Sequence, residues 1–310
     1  MRFLVGFFKK FIANQMALSL ICLFMLCLFF LPNQLKAAEY LDWSGVAKRQ
    51  DCPDEPSYLW IKNSQGVDCI RYFSGGNLQH APVVIVMFSG DRDSLLKRAP
   101  EDIQSNTRQL RESIATRLTK ILQVPVVLMA RPGTYGSSGD HRKRRQPREF
   151  LALNAALSAL KERYNIKKFV LLGHSGGSTA AAAILTMGRT DIKCAVLASG
   201  AFDLLERSRR LAIAAGREPS PLLDATGLPS PYDPLYHIDG IVPDSHRKIY
   251  ILGNPKDKVT PFDLQVKFFN AVNTAGHKIE LREVETKPPK FHNLSDSSRL
   301  KIARTCAKGD

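Results

Sequence analysis

The sequence predicts an α/β domain with a mainly parallel sheet covered by helices on both faces. Two observations carry this. From residue 83 onward, short runs of apolar residues recur between segments of helical spacing, the pattern of strands buried on both sides. No internal repeat or low-complexity linker interrupts residues 38–310, so one domain accounts for them.

The elements follow in order. Arg2, Lys9 and Lys10 precede the uncharged run MALSLICLFMLCLFFL, then come Pro32 and the small residues Ala37 and Ala38. A positive start, an apolar centre and a small-residue end predict a secretory leader over residues 1–37. The apolar run is short for a bilayer span, but Leu35 fits poorly ahead of a cut after Ala37, so retention as an uncleaved anchor stays open. SYLWI and DCIRYF then read as two strands joined by NSQGV, an antiparallel hairpin. VVIVMF (83–88) is a buried strand ending in the turn SGD. Residues 103–122 place Ile103, Leu110, Ile114, Leu118 and Ile121 on one helical face. A strand at PVVLMA (125–130), a helix over 150–164 and a strand at FVLLG (169–173) come next. The small-residue segment GGSTAAAAILTMG predicts a helix packed tightly on the sheet. CAVLAS (194–199) and IYILG (249–253) are strands, 262–276 a helix, 278–285 a last strand and 295–306 a last helix.

One stretch breaks this rhythm. Residues 203–247 begin as a helix, LLERSRRLAIAA, and continue as the Pro- and Asp-rich EPSPLLDATGLPSPYDPLYHIDG. A connection this long in a compact domain predicts a functional insertion or a small lid.

The formal net charge is +15, and losing residues 1–37 removes Arg2, Lys9, Lys10 and Lys36 to leave +11. Such a balance fits acidic substrates, an anionic surface, nucleic acid or simply a basic soluble protein. Beyond the leader, Cys52, Cys69, Cys194 and Cys306 make an even set, as expected for two disulfides in an exported chain. Cys52 and Cys69 flank the hairpin and are expected to pair, leaving Cys194 to tie a strand start to the last helix through Cys306. The absence of a CxxC pair or a close histidine partner argues against a metal site.

Residues 169–185 read FVLLGHSGGSTAAAAIL, with Gly173-His174-Ser175-Gly176-Gly177 matching G-x-S-x-G at a strand-to-helix junction. Glycines at those places permit a sharp turn that lifts a serine hydroxyl above the sheet edge. The plainer reading is a glycine turn that only packs a helix on a strand.

Here the chain resembles the α/β-hydrolase family over most of residues 58–306. The resemblance implies catalytic residues in the order Ser, Asp or Glu, His. Ser175 takes the first place; Asp257, in IYILGNPKDKVTP, and His292, in KPPKFHNLSD, take the others. Asp203, after the preceding strand, is the alternative acid, and the plainer reading of His292 is a structural surface histidine. His174 is expected to pack beside the serine. The oxyanion hole would use the N–H of Gly176 and a second donor from the loop Ser89-Gly90-Asp91, where the family often carries an HG-type motif. Asp91 is an odd neighbour for a developing anion unless Arg92 or Arg131 neutralises it.

RPGTYGSSGD is similar to the glycine-rich loop after the fourth core strand of many family members. The basic run that follows, with Arg142, Lys143, Arg144, Arg145 and Arg148, has two readings: a solvated loop, or a docking patch for an acidic substrate or an anionic envelope surface. It lacks interleaved aromatics, so no nucleic acid is expected. SPYDPLYHIDGI resembles dienelactone-hydrolase-like and prolyl-oligopeptidase-like members, though the chain has no room for a propeller. The expectation is an exported serine hydrolase acting on carboxylic esters, periplasmic or secreted, without cofactor or metal. A peptidase, amidase or acyltransferase on the same triad and a non-catalytic binding protein are the alternatives.

Overall fold

A computed structural model describes residues 39–309. The chain divides after Glu39, and the unit beginning at Tyr40 is the one described here. The expected leader, residues 1–37, lies outside the described residues.

Eight strands form one sheet: β1 Tyr58–Asn63, β2 Gly66–Gly75, β3 Val83–Phe88, β4 Val126–Met129, β5 Lys168–His174, β6 Ile192–Ala198, β7 Lys248–Gly253 and β8 Ile279–Glu283. Their order is β1-β2-β4-β3-β5-β6-β7-β8. The β1–β2 hairpin is antiparallel, β2 also meets β4 antiparallel, and every pairing from β4 to β8 is parallel. Among the described residues, six α-helices accompany them: α1 Arg108–Leu122, α2 Pro147–Tyr164, α3 Gly176–Leu185, α4 Leu204–Ala214, α5 Phe262–Thr274 and α6 Asp296–Lys308.

The all-apolar strands bury both faces. In β5, Phe169 and Leu171 enter the cluster formed with α2, α3 and α5, whereas Val170 and Leu172 enter the one formed with α1 and α6. Successive side chains point to opposite sides of a strand, so neither side tolerates a polar residue. The alanine run predicted to pack closely does so: Ala180, Ala181, Ala182 and Ala183 are all fully buried.

Helix α1 departs from expectation. It starts at Arg108, where the Thr107 hydroxyl accepts the Leu110 N–H (3.3 Å) as an N-cap. Ile103 stays buried as extended chain, while Leu110 and Ile121, expected on the inner face, are exposed. The reason is close packing on β2 through a small residue. A Cβ at Gly75 would lie 2.5 Å from the Ala115 carbonyl oxygen, so backbone meets backbone there and the helix turns Ala115 inward.

Two disulfides close the unit, Cys52–Cys69 and Cys194–Cys306, with sequence separations of 17 and 112. The second fixes β6 to the last turn of α6. Among the described residues, no helix is long and apolar enough to cross a membrane.

Candidate active site

Ser175 occupies the junction of β5 and α3 with φ 56° and ψ −126°. A side chain at positive φ with this ψ is strained, and such strain persists only where the surroundings over-determine it. They do so here. The Ser175 N–H donates to the Ala198 carbonyl at 2.9 Å. Any Cβ at Gly173 or Gly177 would lie 2.4 Å from the Gly177 oxygen and 2.2 Å from the Phe88 oxygen, respectively. The glycines let β5, α3 and the end of β3 touch through backbone.

Asp257 and His292 meet. His292 Nδ1 lies 2.8 Å from Asp257 Oδ2. The other Asp257 oxygen accepts the N–H groups of Val259 (2.8 Å) and Thr260 (2.9 Å). Burial pushes the Asp257 carboxyl up, but the His292 hydrogen bond and the Thr260 N–H outweigh it and hold it below the usual range. With Nδ1–H donated to the carboxylate, Nε2 is the nitrogen left to accept a proton. Neither Thr260 nor Ser199 was singled out by the sequence. Thr260 Oγ1 sits 2.8 Å from Asp257 Oδ2 and 3.1 Å from the Ser199 carbonyl, and Ser199 Oγ donates to the His292 carbonyl at 2.9 Å. Short polar side chains beside predicted strand ends were the only available signal.

Asp203 is elsewhere engaged. It precedes α4 in the left-handed region (φ 50°), pairs with Lys267 at 2.5 Å and lies 3.4 Å from the Tyr236 hydroxyl. His174 packs its ring 5.1 Å from that of His292, and burial, followed by the charge of His292, lowers its pKa to about 4.

Gly90 lies against the serine, since a Cβ there would be 3.1 Å from Ser175 Cβ and 3.2 Å from the His174 oxygen. At Gly176 a Cβ would be 2.0 Å from Asp91 Oδ1. The Asp91 carboxylate is therefore packed on the turn itself. It is neutralised by Arg131 (2.8 Å), Arg144 (3.2 Å) and Arg145. Burial raises the Asp91 pKa, and Arg145, Arg131 and Arg144 together override this and hold it well below the carboxylate range. Arg131 was expected as a partner; Arg144 and Arg145 were not. Both are buried, so of the basic run proposed as a surface patch only Arg142, Lys143 and Arg148 face outward. The physical reason is local: Glu149 accepts the Arg145 N–H (2.6 Å) and binds Arg131 (2.6 Å), turning that stretch of the loop inward.

Ser175 and His292 open into a cavity of about 770 Å³. Its far wall comes from the 203–247 insertion, including Arg207, Leu211, Leu223 and Asp224. No group of His, Cys, Asp and Glu able to hold a metal ion occurs among the described residues.

A serine at a strained strand-to-helix turn, an acid after β7 and a histidine after β8 accompany a sheet of this order. The chain has the α/β-hydrolase fold. It matches solved structures of an esterase from Pyrococcus furiosus (15% identity, TM-score 0.57, 88% of this chain and 99% of that one). It also matches Est1E from Butyrivibrio proteoclasticus (13%, 0.51, 82% and 96%). A third likeness is to the acylaminoacyl peptidase of Pyrococcus horikoshii (15%, 0.51), where 80% of this chain covers 39% of that one. No family model and no curated protein matches the sequence.

Proposed function

We propose that this protein is an exported serine hydrolase that cleaves carboxylic esters through an acyl-enzyme on Ser175. The observation that carries the proposal is His292, 2.8 Å from the buried Asp257, opening with the strained Ser175 into one cavity.

A serine hydroxyl is a weak nucleophile at neutral pH, so attack on the ester carbonyl requires a base. His292 Nε2 takes the Ser175 proton as the bond forms, and the Asp257 carboxylate holds the imidazole in the required tautomer and stabilises the imidazolium. The tetrahedral oxyanion meets the Gly176 N–H at the start of α3 and a donor from the Gly90–Asp91 backbone. The imidazolium then protonates the leaving alcohol. Water, deprotonated by the same histidine, releases the acid and restores Ser175. Export is supported by the two disulfides and by the charge pattern of residues 1–37.

The test is reaction with a fluorophosphonate probe followed by peptide mapping. A single adduct on Ser175, lost in Ser175→Ala, is expected; a folded protein that gives no adduct would refute the reading.

A further inference from the structure

The cavity beside Ser175 holds a charge that the proposed chemistry does not use. Arg207, in the first turn of α4, is 6% exposed and lines the same cavity as Ser175 and His292. Its Nε donates to the Val259 carbonyl at 2.9 Å, two residues along the chain from Asp257. Among the described residues, neither terminal nitrogen has an acceptor, and no carboxylate lies within ion-pair distance.

Of the four acids lining the cavity, Glu218 is exposed and the other three are already engaged. Asp91 is held by Arg131, Arg144 and Arg145; Asp224 lies 3.4 Å from Arg145 and accepts the Thr226 N–H at 2.7 Å; Asp93 is bound by Arg144 at 2.7 Å. Burial first, then the like charge of Arg145, lowers the Arg207 pKa to about 10, which leaves the guanidinium protonated at neutral pH. A buried cation with one backbone acceptor is an unfavourable arrangement unless something completes its shell. Guanidinium presents a planar fork suited to two oxygens of a carboxylate or phosphate. One turn further along α4, Leu211 adds an apolar wall.

We infer that the substrate is an ester carrying an oxyanion group, a carboxylate or a phosphate, which Arg207 binds from the insertion side of the cavity. This rests on the hydrolase reading for the word ester, and on the cavity alone for the oxyanion. Arg207 is then the residue that determines specificity. The basic loop contributes indirectly, because Arg145 keeps Asp91 and Asp224 occupied and so leaves Arg207 unpaired.

The test uses Ser175→Ala protein, which binds an ester without turning it over. Calorimetric titration compares the monomethyl esters of glutaric, adipic and suberic acid with their dimethyl esters, and adds methyl 6-(phosphonooxy)hexanoate as the phosphate arm. One anionic ester is expected to bind roughly 10- to 100-fold more tightly than its neutral counterpart, the range for charge-assisted hydrogen bonds. In the Ser175→Ala background, Arg207→Gln should weaken the anionic ester at least about fivefold more than the neutral one, and Arg207→Lys should keep part of the preference. Whichever anion binds better identifies the group. The inference is overturned if no anionic ester binds more tightly than its neutral partner. It is equally overturned if Arg207→Gln leaves the preference intact or weakens both ligands by the same factor. Fluorophosphonate labelling of the unsubstituted protein needs no anion. An adduct without anion preference therefore sinks this inference alone, and anion preference without an adduct sinks the hydrolase reading alone.

Discussion

Replacing Asp91 with asparagine changes almost no volume and removes one charge from the middle of three guanidinium groups. Each arginine keeps a second carboxylate. Arg131 retains Glu149 at 2.6 Å, Arg144 retains Asp93 at 2.7 Å, and Arg145 retains Asp224 at 3.4 Å. Only the first of these is both short and fully buried, since the Asp93 side chain is 60% exposed. Breaking a buried ion pair costs about 3–5 kcal/mol when the partner is left bare, and the retained contacts place Asp91→Asn at the lower end, about 3 kcal/mol. For a unit of this size each kcal/mol moves the melting temperature by about 2–4 °C. The expected fall is therefore roughly 6–12 °C, measured by thermal melting with the disulfides intact. A shift under about 2 °C would mean that the cluster is solvated and that Asp91 does not hold the arginines in place, which would refute the reasoning.

Four further outcomes are expected. Asp257→Asn should lower kcat by about 10⁴-fold through loss of the histidine tautomer, whereas Asp203→Asn, away from His292, should change it by less than about threefold; ester kinetics on both variants decides the acid. Burial holds His141 and His174 neutral, with pKa values of about 2 and about 4 against 6.5 for free imidazole. The unfolded chain therefore binds the protons first, and stability present above pH 6.5 is lost as pH falls, by about 2 kcal/mol per histidine at pH 5, readable in urea unfolding at several pH values. Gly176→Ala drives a methyl into Asp91 and Arg131 and should yield little folded protein, while Gly90→Ala, with its nearest atom at 3.1 Å, should fold but turn over at least about tenfold more slowly. Removing the Cys194–Cys306 bridge should destabilise by about 5 kcal/mol and removing Cys52–Cys69 by about 3, because the first closes the longer loop; equal denaturant midpoints would contradict this.

Much of the fold was legible because its strands are short, apolar and buried on both faces, leaving little ambiguity of period. The turn at Ser175 was legible because only glycine allows three backbones to approach there. Helix α1 was misread at its inner face because spacing reports apolar residues, and here close approach to Gly75 selected Ala115 over Leu110 and Ile121. The charge cluster was hidden for a different reason. A run such as Arg142-Lys143-Arg144-Arg145 looks uniformly solvated until its partners are known, and those partners lie at Asp91, Glu149 and Asp224. Thr260 and Ser199 carry no motif and matter only because β6, β7 and the loop after β8 converge.

The division of labour along the chain has a consequence for engineering. Ser175, Asp257 and His292 sit on turns at the ends of β5, β7 and β8, while the opposite wall of the cavity comes from one continuous stretch, residues 203–247. One fastening between the two, from Arg207 to Val259, ends on a backbone carbonyl that any residue supplies. A designer can thus exchange that stretch to reshape what the cavity admits while the three turns stay where the sheet holds them.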